Sequence, residues 1–150
     1  MRAVMLDLET LGTDPDCVVT TLGAVIFDPY KLGEEIPEKN CLYLRPSVDE
    51  QFALEKPRSH TEDTLKWWMS QPEEIREEAL SETDRIPLSD FRQQLNKFLV
   101  GAEDIWCQGP VFDICILENL YKQMEWQYPW NYWQIRDSRT IFKVFNCDTR

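Results

Sequence analysis

This sequence of 150 residues is short of several things, and each shortage narrows the field. It has no apolar run near the roughly 20 residues that a membrane-spanning helix requires, so membrane insertion is set aside. It has no CxxC pair, because Cys17, Cys41, Cys107, Cys115 and Cys147 form an odd, scattered set. Such a set argues against a disulfide framework and against a zinc cluster, and a reducing cytoplasm is its simplest home. Basic side chains are scarce, 16 Lys and Arg against 27 Asp and Glu, for a formal net charge of -11. That sign disfavours a broad basic surface for nucleic acid, so any such partner must be held locally or through metal. The opening residues carry none of the charged leader, apolar segment and cleavage site of a secretory signal. There is no internal repeat or low-complexity tract, and a single domain with a real core is the expectation for this length.

What is present begins with Ala3-Val-Met-Leu-Asp-Leu-Glu9, a buried-strand pattern that ends in two carboxylates. A strand alternates its faces, so Met5, Asp7 and Glu9 share one side while Val4, Leu6 and Leu8 share the other. The two acids are same-face neighbours roughly 7 Å apart along the strand. Like charges at that spacing on the edge of a core repel and resist desolvation unless something positive sits between them.

Turn chemistry at Gly12 to Asp16 leads to a second strand over 20–27, paired antiparallel with the first, and a third over 41–45 completes a meander. The period then changes. Leu65, Trp68 and Met69, with Thr61 or Thr64 as cap, predict a helix over 61–70, and Leu88, Phe91, Leu95, Phe98 and Leu99 predict another over 88–99. Residues 104–108 form a short strand, Gly109-Pro110 breaks it, and the apolar positions from Val111 to Met124 mark an amphipathic helix. A further strand is expected over 132–136, then a last helix capped by Asp137 or Thr140. The acid-rich 73–84 stretch reads as a solvated helical face. An antiparallel meander followed by βαβ with right-handed crossover makes an α/β protein with a mixed five-stranded sheet flanked by helices, which fits the ribonuclease H-like fold.

Asp113 is the third acid of interest, because it falls beside the junction between the 104–108 strand and its helix. If that strand lies parallel beside the first, Asp113 arrives near the end that carries Asp7 and Glu9. Oxygen ligands without imidazole or thiolate select hard cations, Mg²⁺ or Mn²⁺, and two such ions hold a phosphodiester, activate water and stabilise the leaving oxygen. The plainer reading makes Asp113 an acid favoured by a helix dipole, and it explains nothing about Asp7 and Glu9.

Asp7-Leu-Glu-Thr10 with Leu11-Gly12 resembles the first motif of the DEDD (DnaQ-like) superfamily of 3′-5′ exonucleases. Thr64-Leu-Lys-Trp-Trp-Met-Ser-Gln71, the run Trp106-Cys-Gln-Gly-Pro-Val-Phe-Asp113 continuing to Leu117, and Arg136-Asp-Ser-Arg-Thr140 are more specific. In order and spacing they resemble the phage-type exodeoxyribonuclease branch and the related Rv2179c-like exoribonuclease domain. The resemblance implies that Asp7, Glu9 and Asp113 are catalytic metal ligands, with Asp7 bridging two ions. It also implies that Thr10 and Leu11 meet the terminal nucleotide and that Gln108 and Phe112 line the second motif. The reaction it implies releases nucleoside 5′-monophosphates from a single-stranded 3′ end of DNA or RNA.

The family's third motif, a histidine or tyrosine base with an aspartate five residues on, has no counterpart before Arg150, and the single histidine, His60, sits far upstream. The expectation is therefore a domain over 1–150 without the C-terminal helix that carries that motif, either a shortened enzyme or a natural short form. A nuclease-fold module that binds or assembles without hydrolysing is the alternative. Trp67, turned away from Trp68 on its helix, either packs on the surface or stacks on a base. The aromatic run from Trp126 to Trp133 reads first as packing or an interface. Arg136, Arg139 and Lys66 either touch substrate phosphates or pair with nearby acids.

Overall fold

In the computed structural model, which describes residues 1–31 and 33–148, β1 (Ala3–Thr10), β2 (Val19–Phe27) and β3 (Cys41–Leu44) form the antiparallel meander. β4 (Asp104–Cys107) and β5 (Ile135–Asp137) then add in parallel on the other side of β1, for a sheet order β3-β2-β1-β4-β5. The helices are α1 (Val48–Phe52), α2 (Glu62–Met69), α3 (Glu73–Leu80), α4 (Leu88–Leu99), α5 (Pro110–Gln123) and α6 (Ser138–Val144). The mixed sheet is the one the strand and helix patterns predict.

Alternation along β1 divides the molecule. Val4, Leu6 and Leu8 are buried in the main core with Phe91, Leu95 and Leu99 of α4 and Ile114, Leu117 and Leu120 of α5. The apolar residues of α4 recur three or four apart, so folding takes one stripe of that helix out of water. A second, smaller core of Leu11, Val18, Val48, Trp68 and Ala79 joins the end of β1 to α1, α2 and α3.

Two elements differ from the sequence reading. The strand expected over 132–136 begins at Ile135, because Tyr132–Gln134 is a 3₁₀ turn. Asn131 closes that turn with Gln134, whose side-chain oxygen accepts from the Asn131 N–H at 2.8 Å, while the Gln134 amide also donates to the Ala102 carbonyl at 2.9 Å. The local cap outcompetes the β preference of Tyr and Trp. Helix α1 was not foreseen, since five residues are too few to show a period. Its Ser47 cap accepts from the Glu50 N–H at 3.0 Å, and its Gln51 side chain meets both the N–H (2.9 Å) and the carbonyl (2.8 Å) of Val19. Gln51 thereby stands in for a neighbouring strand at the start of β2.

A strap over 57–61 ties the β1–β2 connection to α2. Val18 donates to the Ser59 carbonyl at 2.9 Å and Thr61 to the Leu11 carbonyl at 2.9 Å. Beneath the strap the Arg58 guanidinium, 2% exposed, is satisfied by the carbonyls of Cys17 and Pro15 and by the side chains of Asn119 and Gln123. Thr61 caps α2 through its hydroxyl. This strap sets where α2 begins, and so where its tryptophans stand.

Candidate active site

Asp7 and Glu9 leave β1 on the face away from the main core, opposite Gly23 and Thr21 of β2. They enter a cleft of about 550 Å³ whose lining includes Trp68 of α2, Tyr43 of β3, and Glu74, Ile75 and Glu78 of α3. A Cβ placed on Gly23 would meet nothing within 4 Å, so the missing side chain leaves the cleft floor open beside Asp7. A hollow of about 640 Å³ lies elsewhere, lined by Met1, Met5, Phe27 and Ile36, and holds none of the acids singled out from the sequence. The smaller cleft is the one with chemistry in it.

Asp113 reaches the same region from the first turn of α5. Gly109, at φ +100°, is the residue before that helix, and Pro110 occupies its first position. The left-handed turn sends α5 back along the sheet, and a residue with a side chain would be strained there. Asp113 is 3% exposed, and its Oδ1 accepts the Leu8 N–H at 3.1 Å. The Asp113 carboxyl therefore lies against the β1 backbone between the two acids of that strand.

All three carboxyls are held above their ordinary range. Burial does most of it for Asp113, pushed from 3.8 up to about 6, and the neighbouring Asp7 charge adds to it. The Leu8 N–H and Arg139 pull the other way. Asp7 is raised by partial burial against the Leu8 N–H, and Glu9 by partial burial and then by Asp7. Both side chains of β1 still reach solvent. The Asp7 charge thus raises each of the other two, as a like charge nearby does.

Among the described residues no three acid, imidazole or thiol side chains are gathered tightly enough to hold an ion as they stand. The donor chemistry nonetheless fits a hard cation: oxygen ligands only, mutually repelling, with one of them already fixed to the backbone.

The other predicted contacts divide. Gln108 is exposed just past β4, and Phe112 is 36% exposed on the first turn of α5. Thr10 and Leu11 lie buried below the cleft. The Thr10 hydroxyl donates to the Gly12 carbonyl at 2.7 Å, and the Leu11 N–H and carbonyl are bonded to Val18 and Thr61. Trp67 is 54% exposed and meets Trp68 edge-on at 4.7 Å, outside the residues that line the cleft. His60 sits in the strap with its ring edge-on to Phe52 at 5.6 Å.

Sequence reasoning missed the cleft wall. Glu74 and Glu78 belong to the stretch read as a solvated helical face and are exposed on α3, and they also line the cleft that Asp7 and Glu9 enter. Only the acid density of that stretch hinted at a role. Tyr43 donates to Glu78, and burial together with that carboxylate pushes the phenol up to about 12, so it stays protonated. Arg45 and Arg85 donate to carbonyls at the C-terminal end of α3, including those of Glu78, Ser81 and Ala79. They complement the end of that helix and hold the wall in place.

The sequence profile of the Rv2179c-like 3′-5′ exoribonuclease domain matches residues 2–149. The chain belongs to that family. As a family it groups 3′-5′ exonucleases, hydrolases of phosphodiester bonds. Exodeoxyribonuclease of Enterobacteria phage T4 is 25% identical over 131 residues, covering 81% of this chain and 56% of the phage protein. The Rv2179c-like chain thus spans little more than half the length of that relative. Exonuclease I of E. coli, solved with a dT13 oligonucleotide, shares the fold at a TM-score of 0.68 and 14% identity, over 97% of this chain and 29% of that one. Cell-death related nuclease 4 shares it at 0.54 and 18%, over 85% and 41%.

Trp68 links the site to the framework of this Rv2179c-like domain. Its indole N–H donates to the Thr10 carbonyl at 2.8 Å, while its ring belongs to the small core and to the cleft wall. Trp68→Phe should lower the urea-unfolding free energy by about 1–3 kcal/mol, because the buried Thr10 carbonyl loses its donor. An unchanged midpoint would show that water takes over the bond.

Proposed function

We propose that this chain is a metal-dependent 3′-5′ exonuclease that releases nucleoside 5′-monophosphates from a single-stranded 3′ end of DNA or RNA, with residues 1–150 acting as one domain. The observation that carries the reading is the placement of Asp7 and Glu9 on one face of the central strand β1, with the Asp113 carboxyl bonded to the Leu8 N–H between them and all three held above their ordinary range, beside a cleft lined by Trp68 and Ile75. Family membership supports the reaction class, and the shared fold of E. coli Exonuclease I, seen holding a dT13 strand, supports a single-stranded partner.

Asp7, coupled to both other acids, would be the shared ligand, with Glu9 on its cleft side and Asp113 on its buried side. A pair of Mg²⁺ or Mn²⁺ ions held there would supply the positive charge and the activated water that in-line attack on a phosphodiester requires. The Leu8 N–H fixes Asp113 before any substrate arrives, which keeps the reorganisation during reaction small. Ile75, exposed on the cleft wall and backed by the buried Trp68, would offer apolar surface to the terminal base, and the open floor at Gly23 leaves room for the sugar. The Glu74 and Glu78 wall repels a phosphate chain, so the strand would enter from the Gln108 and Phe112 side.

A 5′-labelled single-stranded oligonucleotide, as DNA and as RNA, tests this. With Mn²⁺ or Mg²⁺ it should shorten from the 3′ end with mononucleotide release, and EDTA should stop it. Equal digestion by wild type and Asp7→Ala would assign any activity to something else.

One observation favours a second reading, a nuclease-fold module that binds without hydrolysing: the single imidazole, His60, packs on Phe52 and does not line the cleft. A positioned general base contributes roughly 10²- to 10⁴-fold. Monophosphate binding in Mn²⁺ without turnover would select this module.

A further inference from the structure

We propose that Arg139 binds the substrate phosphate, gripping a non-bridging oxygen of the terminal phosphodiester from above Gly109, at the end of the sheet where the three carboxyls meet. The proposal rests on the exonuclease reading and names the group that would hold the bond being cut.

The argument begins with what the other cations do. Of the three basic residues that sequence alone left undecided, Lys66 pairs with Glu62 at 2.9 Å along α2, and Arg136 pairs with Asp104 at 2.8 Å near the start of β4. Arg45 and Arg85 are occupied with the carbonyls of Glu78 and Ala79 at the end of α3 and of Thr83 and Thr20 outside it, and they pair with Glu78 and Glu82. Arg139 differs. Its backbone N–H is taken by the Asp137 cap at 2.9 Å, but among the described residues its guanidinium makes no ion pair and no hydrogen bond that would hold it. In a chain of net charge -11, a guanidinium left so among the described residues is available to an anionic ligand.

Its position is specific. A Cβ built on Gly109 would lie 3.0 Å from Arg139 Nη1 and 3.6 Å from Cζ, so the flat guanidinium rests where any other residue would place a side chain. Gly109 therefore does two things: it takes the left-handed turn into α5, and it leaves the space that the guanidinium fills. Asp137 clamps both partners, since its Oδ1 accepts the N–H of Gly109 at 3.2 Å and of Arg139 at 2.9 Å. Asp113 follows Gly109 by one helical turn, close enough for Arg139 to pull its carboxyl back toward the charged form. The guanidinium thus stands over Gly109, one helical turn before Asp113, and among the described residues it is not ion-paired to that carboxyl. A planar fork of N–H donors matches two oxygens of one phosphate, and it balances the anion where the acids alone would repel it.

A plainer role, in which Arg139 only offsets the charge of Asp113, makes a different prediction, and the test separates the two. Calorimetric binding of a nucleoside 5′-monophosphate and of the same nucleoside is measured with Mn²⁺ for wild type, Arg139→Gln and Arg139→Lys. Wild type should prefer the monophosphate. Arg139→Gln should weaken monophosphate binding by roughly 10- to 100-fold and leave the nucleoside unchanged, the range of a hydrogen bond to a charged group. Arg139→Lys should recover part of the loss, and the KM for a single-stranded oligonucleotide should rise in the same order. Equal monophosphate affinity in wild type and Arg139→Gln overturns the proposal, as does equal weakening of both ligands or a change confined to melting temperature. Failure of wild type to digest an oligonucleotide would remove the exonuclease reading and leave the monophosphate comparison standing.

Discussion

Asp7→Asn should cut exonuclease turnover by roughly 10³-fold, the loss typical of removing one preorganised electrostatic partner from a reacting centre, while making the metal-free protein more stable. Both halves come from one geometry. Asp7 is the acid coupled to Glu9 and to Asp113, and each of those carboxyls is raised in part by its charge. An amide of the same shape removes that repulsion and keeps the contacts, so thermal unfolding without metal should shift upward by about 2–4 °C per kcal/mol recovered in a chain of this size. With Mn²⁺ present, the wild type should gain and the variant should gain less, because stabilisation by a ligand follows its affinity for the folded state. A loss of activity with a falling melting temperature would mean that Asp7 supports the fold and has no special place in the chemistry. This is the trade-off expected where function demands charges the fold would rather not hold.

The metal-free protein should also lose stability as pH rises from 4 to 7, opposite to the acid denaturation usual for an acidic chain. Asp113 titrates near 3.8 when unfolded and at about 6 when folded, so between those values the folded state binds more protons. Stability then falls with rising pH across that window, and the loss is complete once pH exceeds the folded value. About two units correspond to ~3 kcal/mol at most for this buried carboxyl. Asp7 and Glu9 move in the same direction. Urea unfolding in EDTA at pH 5.0 and 7.5 measures the difference, and Asp113→Asn should flatten most of it. A divalent cation should reverse the trend, stabilising more at 7.5 than at 5.0, since the cation competes with protons for the same oxygens. Stability that rises with pH in the wild type, without metal, would show that Asp113 is not the strained group described here.

Much of this was legible without coordinates. The period of two in β1 put Asp7 and Glu9 on one face, and the break at Gly109-Pro110 placed Asp113 at the mouth of a helix. Those are local facts, fixed by backbone geometry over a few residues, and they survived folding intact. The capped start of α2 likewise separated Trp68, which is buried, from Trp67, which is not. The misses have a common cause in competition that a local pattern does not contain. Tyr132–Gln134 turned into a 3₁₀ cap through Gln134 reaching Ala102, some thirty residues away. The acid-rich stretch around Glu74 and Glu78 is the solvated helical face expected of it, and its further place as a cleft wall depends on Arg45 and Arg85, on other segments, which bind the carbonyls at its end.

What the sequence by itself determined is the set of groups: three carboxylates at the ends of two elements and a fold order that turns those ends the same way. Only the tertiary structure decided their state and their company. Burial of Asp113 against the Leu8 N–H sets its proton affinity, and that depends on how closely α5 packs on β1. Among the described residues Lys66 and Arg136 are ion-paired and Arg139, lying over Gly109, is not, which no spacing along the chain encodes. Charges and hydrogen bonds act through space, so which acid is strained and which cation is unspent is known only once the chain has closed on itself.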